Sequence, residues 1–270
     1  MKLRLLAAAA LVPLLFYVVF GAPEIVLTVF IAFFCAIASY ELLAVTGLVK
    51  TPRLVAYTAV IAFAMPFWSH YSVNSVWTKL AVLAFFVLLF AEILTSHGVI
   101  RFDCISVCVT SGLLIPYLLS ALVRLMIMES GRFLAFIPFV AACLADAGAY
   151  FVGKTWGRHK FVPNISANKS SEGVVGGVVS AVLGMVIYGL VLQFGFSFQV
   201  NYLYAVIYGI LCAAGGVFGD LCFSVIKRQT GIKDYGNLIP GHGGILDRFD
   251  SIIVVAPLVE LLLVILPIVE

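Results

Sequence analysis

V-V-G-G-V-V-S-A-V-L-G-M-V-I-Y-G-L-V-L-Q-F-G-F, running from Val174 to Phe196, contains no charged side chain. A helix that crosses a bilayer takes about 20 predominantly apolar residues, so this stretch reads as a membrane span. Comparable runs lie on both sides of it. With the Val174–Phe196 run they make nine candidate spans, approximately Leu3–Phe20, Ile25–Val45, Leu54–Trp68, Val76–Leu94, Cys104–Met128, Phe133–Val152, Val174–Phe196, Tyr202–Ile226 and Ser251–Val269. Turn-forming residues separate several of them: Gly21-Ala22-Pro23, Thr51-Pro52, Ser96-His97-Gly98 and Ser130-Gly131. The third span is short. The first, with Lys2 and Arg4 ahead of an Ala/Leu run, also resembles a secretory leader, but eight further apolar segments make the chain polytopic either way.

Composition agrees. Of 270 residues, 63% are hydrophobic and 11% charged, with a mean hydropathy of +1.16. Soluble domains run at roughly 45–50% apolar and about 25% charged, so a soluble protein and a disordered chain are both excluded. Sixteen basic against thirteen acidic residues leave +3, which points to no nucleic-acid partner. The six cysteines (Cys35, Cys104, Cys108, Cys143, Cys212 and Cys222) all lie in apolar stretches without metal spacing and read as small buried hydrophobes.

The placement of basic residues sets an orientation. With the N-terminus inside, the cytoplasmic segments hold Lys2, Arg4, Lys50, Arg53, Arg101, Lys154, Arg158, Lys160, Lys169, Lys227, Arg228, Lys233 and Arg248, and only Lys79, Arg124 and Arg132 lie outside. The positive-inside rule expects this asymmetry. The expected fold is therefore an all-α polytopic membrane protein of about nine transmembrane helices, N-terminus cytoplasmic and C-terminus outside. It is a single integral membrane domain, with N-terminal spans over 1–130 and a catalytic half over 131–270. Two long cytoplasmic loops, 153–173 and 227–250, should form the site, because long connections in compact folds are usually functional.

Asp220, Ser224 and Lys227 follow one another at spacings of four and three, so they share a helix face. Gly215, Gly216 and Gly219 thin the turns before them, a spacing that also serves helix packing. A carboxylate such as Asp220 near the end of a span needs a cation, a proton or water; a structural salt bridge to a nearby lysine is the plain alternative. The following loop places Gly241, Gly243 and Gly244 around His242, which lets backbone approach a ligand closely. Lys227, Arg228, Lys233 and Arg248 supply countercharge for phosphates. Asp220, Asp247 and Asp250 offer the hard oxygen ligands that suit magnesium. Metal, positive clamp and glycine cradle are the parts of a phosphoryl- or nucleotidyl-transfer site.

The stretch Ser224 to Asp250, S-V-I-K-R-Q-T-G-I-K-D-Y-G-N-L-I-P-G-H-G-G-I-L-D-R-F-D, resembles the signature of phosphatidate cytidylyltransferases (CDP-diacylglycerol synthases): S-x-apolar-K-R, four residues, K-D, then P-x-H-G-G-apolar-x-D-R-x-D. Asp146 to Arg158 is similar to the family's D-x-x-A-Y-x-x-G-[KR]-x-x-G-[KR] segment. Ser166 to Gly173 is similar to its S-P-x-K-[ST]-x-E-G segment, with Ala167 where proline is usual. The resemblance covers the C-terminal half closely; the first hundred or so residues match only as membrane spans. It implies that CTP and phosphatidic acid give CDP-diacylglycerol and pyrophosphate at the inner leaflet of the cytoplasmic membrane. It further implies catalytic roles for Asp220, Asp247, Lys227 and Arg248, and substrate contacts from Ser224, Arg228, Lys233, His242, Gly243, Gly244, Lys169, Glu172 and Lys154. Magnesium would sit on Asp220 and Asp247, with Asp250 and Asp146 as lesser ligands, and the sequence leaves room for a second cation and for a homo-oligomer.

Gly148 to Thr155, G-A-Y-F-V-G-K-T, formally fits a P-loop, but it ends an apolar span instead of following a strand. The match is expected to be accidental. Glu41, Glu92 and Glu260 lie outside the motifs and read as interfacial or paired in the bundle; His70 and His97 read as loop residues and His159 as part of a solvated basic loop. Two other classes compete with the transferase: a CTP-dependent lipid-alcohol (polyprenol-type) kinase, and an ion-coupled transporter, against which stands the lack of a visible repeat or paired broken helices.

Overall fold

Away from water a helix satisfies its own backbone amides, so apolar runs become helices and end where turn-formers interrupt them. A computed structural model describes residues 13–71, 75–97, 99–238 and 243–269. Seven of its helices are long and apolar enough to cross a membrane: α1 (Glu24–Val45), α2 (Pro52–Tyr71), α3 (Val76–Thr95), α4 (Phe102–Met126), α5 (Gly131–Trp156), α6 (Ser171–Phe196) and α7 (Tyr202–Gln229). The protein is thus a mostly helical, polytopic membrane protein. Two short strands, β1 (Lys160–Val162) and β2 (Ser166–Ser170), stand between α5 and α6, and α8 (Leu246–Phe249) and α9 (Ile252–Ile265) follow α7.

The helix boundaries have local causes. Ser75 Oγ accepts the Thr78 N–H at 3.1 Å to start α3, and Ser170 Oγ accepts the Gly173 N–H at 3.1 Å to start α6. His97, Ser130 and Ser197 take left-handed backbone after α3, before α5 and after α6. The last turn of α1, Glu41–Val45, is wound as a π-helix, as is Thr110–Leu114 within α4.

Four expectations change. The third span is not short: α2 runs twenty residues, past Trp68 through Ser69, His70 and Tyr71. Those polar residues ended the apolar run without ending the helix, because His70 Nδ1 reaches Thr28 Oγ1 at 3.2 Å. The segment 153–173 is largely regular, since α5 continues to Trp156 and β1 pairs with β2 in an antiparallel hairpin. The last expected span contains only a 14-residue helix, α9, with Pro257 inside it. Finally, Cys143 and Cys222 are exposed, unlike the other four cysteines; a small thiol is tolerated on the outside of an apolar helix. The first expected span lies mostly outside the described residues.

Contacts divide the chain into two compact units. One holds the described residues up to Arg132 together with Lys227–Phe249; the other holds Phe133–Ile226 and the residues from Asp250 onward. In the first, α1 packs along α2, and Leu54, Ile61, Phe85, Leu89, Ile105 and Cys108 form the core. Where lipid replaces water outside, close packing and polar cross-links hold helices together. Accordingly Ser39 Oγ lies 2.9 Å from Ser111 Oγ, and a Cβ on Gly112 would fall 2.8 Å from Thr58 Cγ2. Glu92 accepts from the Tyr57 hydroxyl at 3.4 Å and pairs with Arg53 at 3.8 Å, as the bundle reading expected.

The second unit is built on small residues. Ala145, Ala181 and Ala213 meet at its centre. A Cβ on Gly177 would sit 2.8 Å from the Ala145 carbonyl, and one on Gly209 would sit 2.5 Å from Val182 Cα. Gly215 and Gly219 do the same for α9: their Cβ atoms would meet Leu258 at 3.1 Å and the Asp250 carbonyl at 2.5 Å. Small residues spaced by four therefore serve helix packing here.

Candidate active site

In the second unit the motif glycines bring the hairpin against α5. A Cβ on Gly153 would lie 3.1 Å from Ser170 Oγ, and one on Gly173 would lie 2.9 Å from the Ala149 carbonyl. This close approach seats β2 beside α7, where Lys169 Nζ forms an ion pair with Asp220 Oδ2. Both side chains are about a quarter exposed, at 23% and 25%. Ser224 Oγ, one turn along, is 3.5 Å from Asp220 Oδ1. A cavity of about 260 Å³ opens beside the pair, lined among others by Asp146, Tyr150, Ser166, Asn168, Lys169 and Gly173. Ser170 and Gly173 at the amino end of α6 also border it, and a helix amino end favours an anion.

Glu172 has a different occupation. It accepts the backbone N–H of Arg158 at 3.2 Å and of His159 at 3.3 Å, and it lies 2.6 Å from His159 Nδ1. It ties the hairpin to the first turn of α6 and is not among the cavity-lining residues. Lys154 is exposed on the last turn of α5, its Nζ 5.6 Å from the centre of the Tyr150 ring. Residues Gly148 to Thr155 are all helical, so no P-loop wraps there.

In the first unit, Asp247 on α8 is the centre of a polar knot. Lys227 Nζ, from the last turn of α7, donates to its Oδ1 at 2.9 Å. Its Oδ2 accepts the backbone N–H of Tyr235 at 2.7 Å and of Gly244 at 3.0 Å. The Asp247 side chain is only 4% exposed and that of Lys227 14%. A buried carboxylate so supplied with donors is well satisfied. Lys227 Nζ also lies 5.4 Å from the centre of the fully buried Tyr235 ring. Gly243 holds φ +88, which only glycine adopts without strain. The Gly244 amide is engaged by Asp247. Arg228, Lys233 and Arg248 are exposed. His242 lies outside the described residues.

One more carboxylate enters this unit from α1. Glu41 is 3% exposed, and its Oε1 and Oε2 accept the N–H groups of Ile245 at 3.0 Å and Leu246 at 2.8 Å. Sequence reading placed it in the bundle and missed this role. The available signal was a lone carboxylate in an apolar span, which is a functional candidate by default.

Among the described residues no three His, Cys, Asp or Glu side chains gather as a metal site. The oxygen donors present suit a hard cation held by one or two carboxylates plus substrate oxygens, as is usual for magnesium. Asp220 is partly open, and Asp146 is exposed at the cavity. Asp247 has both oxygens engaged. Asp250 is 8% exposed and accepts the Ser251 N–H at 2.7 Å.

Residues 2–266 match the model of the family described as the cytidylyltransferase family. The chain belongs to that family. Among cytidylyltransferases it is 33% identical over 272 residues to the phosphatidate cytidylyltransferase of Bacillus subtilis, covering 97% of each chain. It is 30% identical over 268 residues to that of Staphylococcus haemolyticus, covering 98% of this chain and 99% of the relative. A shorter match, 42% over 135 residues, links it to the phosphatidate cytidylyltransferase of Haemophilus influenzae, over 47% of this chain and 44% of the relative. Among the described residues of this cytidylyltransferase, Lys169–Asp220 in one unit and Lys227–Asp247 in the other are ion-paired.

Proposed function

We infer that this protein transfers the cytidylyl group of CTP to phosphatidic acid, giving CDP-diacylglycerol and pyrophosphate. The observation that carries this is near full-length similarity to proteins named phosphatidate cytidylyltransferase, on a polytopic helical chain. A phosphate oxygen of the lipid attacks the α-phosphorus of CTP in line, the bond from that phosphorus to the bridging oxygen breaks, and pyrophosphate leaves with the electron pair. The lipid phosphate is already an anion near neutral pH, so positioning and charge neutralisation replace a strong base.

Lys169 and Asp220 are assigned to the triphosphate end of the reaction, with Asp146 at the cavity beside them. Lys227, Arg228, Lys233 and Arg248 supply countercharge, and Asp247 fixes Lys227 and the turn around Gly244. Magnesium, when bound, would supply countercharge to phosphate oxygens. Asp220 and Asp146 would hold it most readily, whereas Asp247 would first have to release Lys227 or a backbone amide. Lys154, His242 and Glu172 are lesser candidates for substrate contact, Glu172 chiefly through the hairpin it secures. The basic-residue asymmetry supports an odd number of spans in the cytoplasmic membrane, with the N-terminus and both motif segments on the cytoplasmic side.

Purified protein supplied with magnesium, phosphatidic acid and CTP labelled in the cytidine decides the reaction: label should enter the lipid. A parallel reaction with CTP labelled in the γ-phosphate, if it alone labels the lipid, would make the protein a lipid kinase. Vesicle uptake without nucleotide would revive the transporter.

A further inference from the structure

We propose that Glu41 is a positioning residue for this reaction: its buried carboxylate anchors the Gly243–Asp247 turn from the opposite end of the sequence. Its kinetic consequences rest on the cytidylyl-transfer reading; its structural consequence does not. Ile245 and Leu246 each direct a backbone N–H at a different oxygen of the same carboxylate, across 204 and 205 residues of chain. The glycines around it make room for this. A Cβ on Gly244 would fall 2.5 Å from Oε1 and 2.6 Å from Oε2, and one on Gly236 would fall 2.6 Å from Oε1. Glu41 also opens the π-helical turn that ends α1, a local widening that is frequent at functional positions.

The consequence reaches Asp247 directly. Gly244 gives its N–H to Asp247, and the next two amides give theirs to Glu41. Three successive N–H groups are thus shared between two carboxylates, so the backbone that orients Asp247 and, through it, Lys227 is held by Glu41. A second role in charge pairing is absent: among the described residues Glu41 makes no ion pair, and its two oxygens are used on backbone. Both oxygens are needed. A glutamine would turn an NH2 group toward one of the two donors, and an aspartate would fall short by a methylene. Glu41 is not assigned to substrate, so its loss should act on the rate through geometry, where an error of about 1 Å costs about 10²-fold.

The experiment uses full-length protein in detergent, with hydrogen exchange and steady-state kinetics on the same samples. E41Q should speed amide exchange at residues 243–247 at least about tenfold while leaving α2–α4 protected, and lower kcat between about ten- and a hundredfold with the KM for CTP moving less than about threefold. A folded E41Q with kcat and exchange like wild type overturns the proposal, as does a rise in KM at unchanged kcat. If E41Q does not fold, E41D decides: it keeps the charge but falls a methylene short, so it should speed exchange at residues 243–247 and lower kcat at least about tenfold, with the KM for CTP moving less than about threefold. A folded E41D with exchange and kcat like wild type overturns the anchor. Wild-type protein that transfers no cytidylyl group refutes the proposed function, and exchange in E41Q still decides the anchor.

Discussion

Replacing Lys169 by Met and Asp220 by Asn, singly and together, separates a catalytic pair from a structural one. The two side chains are 23% and 25% exposed, between a surface pair and a buried one. As a structural link, such a pair contributes about 0.2–1 kcal/mol to stability, so either variant would melt slightly lower and keep its rate. As part of the site, loss of one charge contact to the reacting phosphates costs about 10²-fold in kcat, or about 2.7 kcal/mol of barrier. The second magnitude exceeds the first by enough to decide. Initial rates with labelled CTP and phosphatidic acid in mixed micelles, beside a melting curve in the same detergent, measure both. Each single variant should lose at least about a hundredfold in kcat, and the double variant should be within about threefold of the worse single, because residues acting as a unit are not additive. Single variants within about fivefold of wild type, with only the melting point lowered, refute the assignment of this pair to the chemistry.

Glu172→Ala should speed tryptic cleavage at Arg158 and Lys160, since it removes the acceptor of two backbone amides; His159→Ala should leave cleavage nearly unchanged, because those amides still hold Glu172. Gly177→Val should lower the melting point in detergent, at a cost of about 1–3 kcal/mol for overpacking against the Ala145 carbonyl. Gly195→Ala, with nothing within 4 Å of the added Cβ, is the matched control and should be neutral. Cys143, exposed in the middle of α5, should resist a membrane-impermeant maleimide in sealed vesicles and react with a lipid-soluble one. Labelling by the impermeant reagent would place that face in water.

Much of the fold was legible because a bilayer imposes one rule on every span. Charge-poor runs bounded by Pro23, Pro52 or Ser130-Gly131 had to be helices with ends near those residues, and they are. What misled was reading hydropathy as helix length. Ser69, His70 and Tyr71 are polar enough to end a window yet continue α2, and Ser69 and His70 find polar partners in Arg124 and Thr28. The 153–173 segment misled in the other direction: Lys160–Val162 and Ser166–Ser170 are too short and too charged to announce strands, and Glu172 supplies the tie that orders the hairpin.

Which of the motif side chains come together was only partly legible. Spacing put Asp220 with Ser224, and the resemblance marked Lys169 and Asp247, but neither could say that Lys169 meets Asp220 while Glu172 turns to His159. Those choices are made by tertiary approach, which for Glu41 and Ile245 spans 204 residues. Glycine shows the difficulty best. In H-G-G the missing side chains suggested a cradle open to phosphate, and Gly243 does take a backbone angle that glycine alone tolerates. Gly244, its neighbour, is small for another reason: the space its Cβ would need is filled by the Glu41 carboxylate. A glycine in a motif records that something comes close, and only the fold says whether that something is a ligand or the protein's own carboxylate.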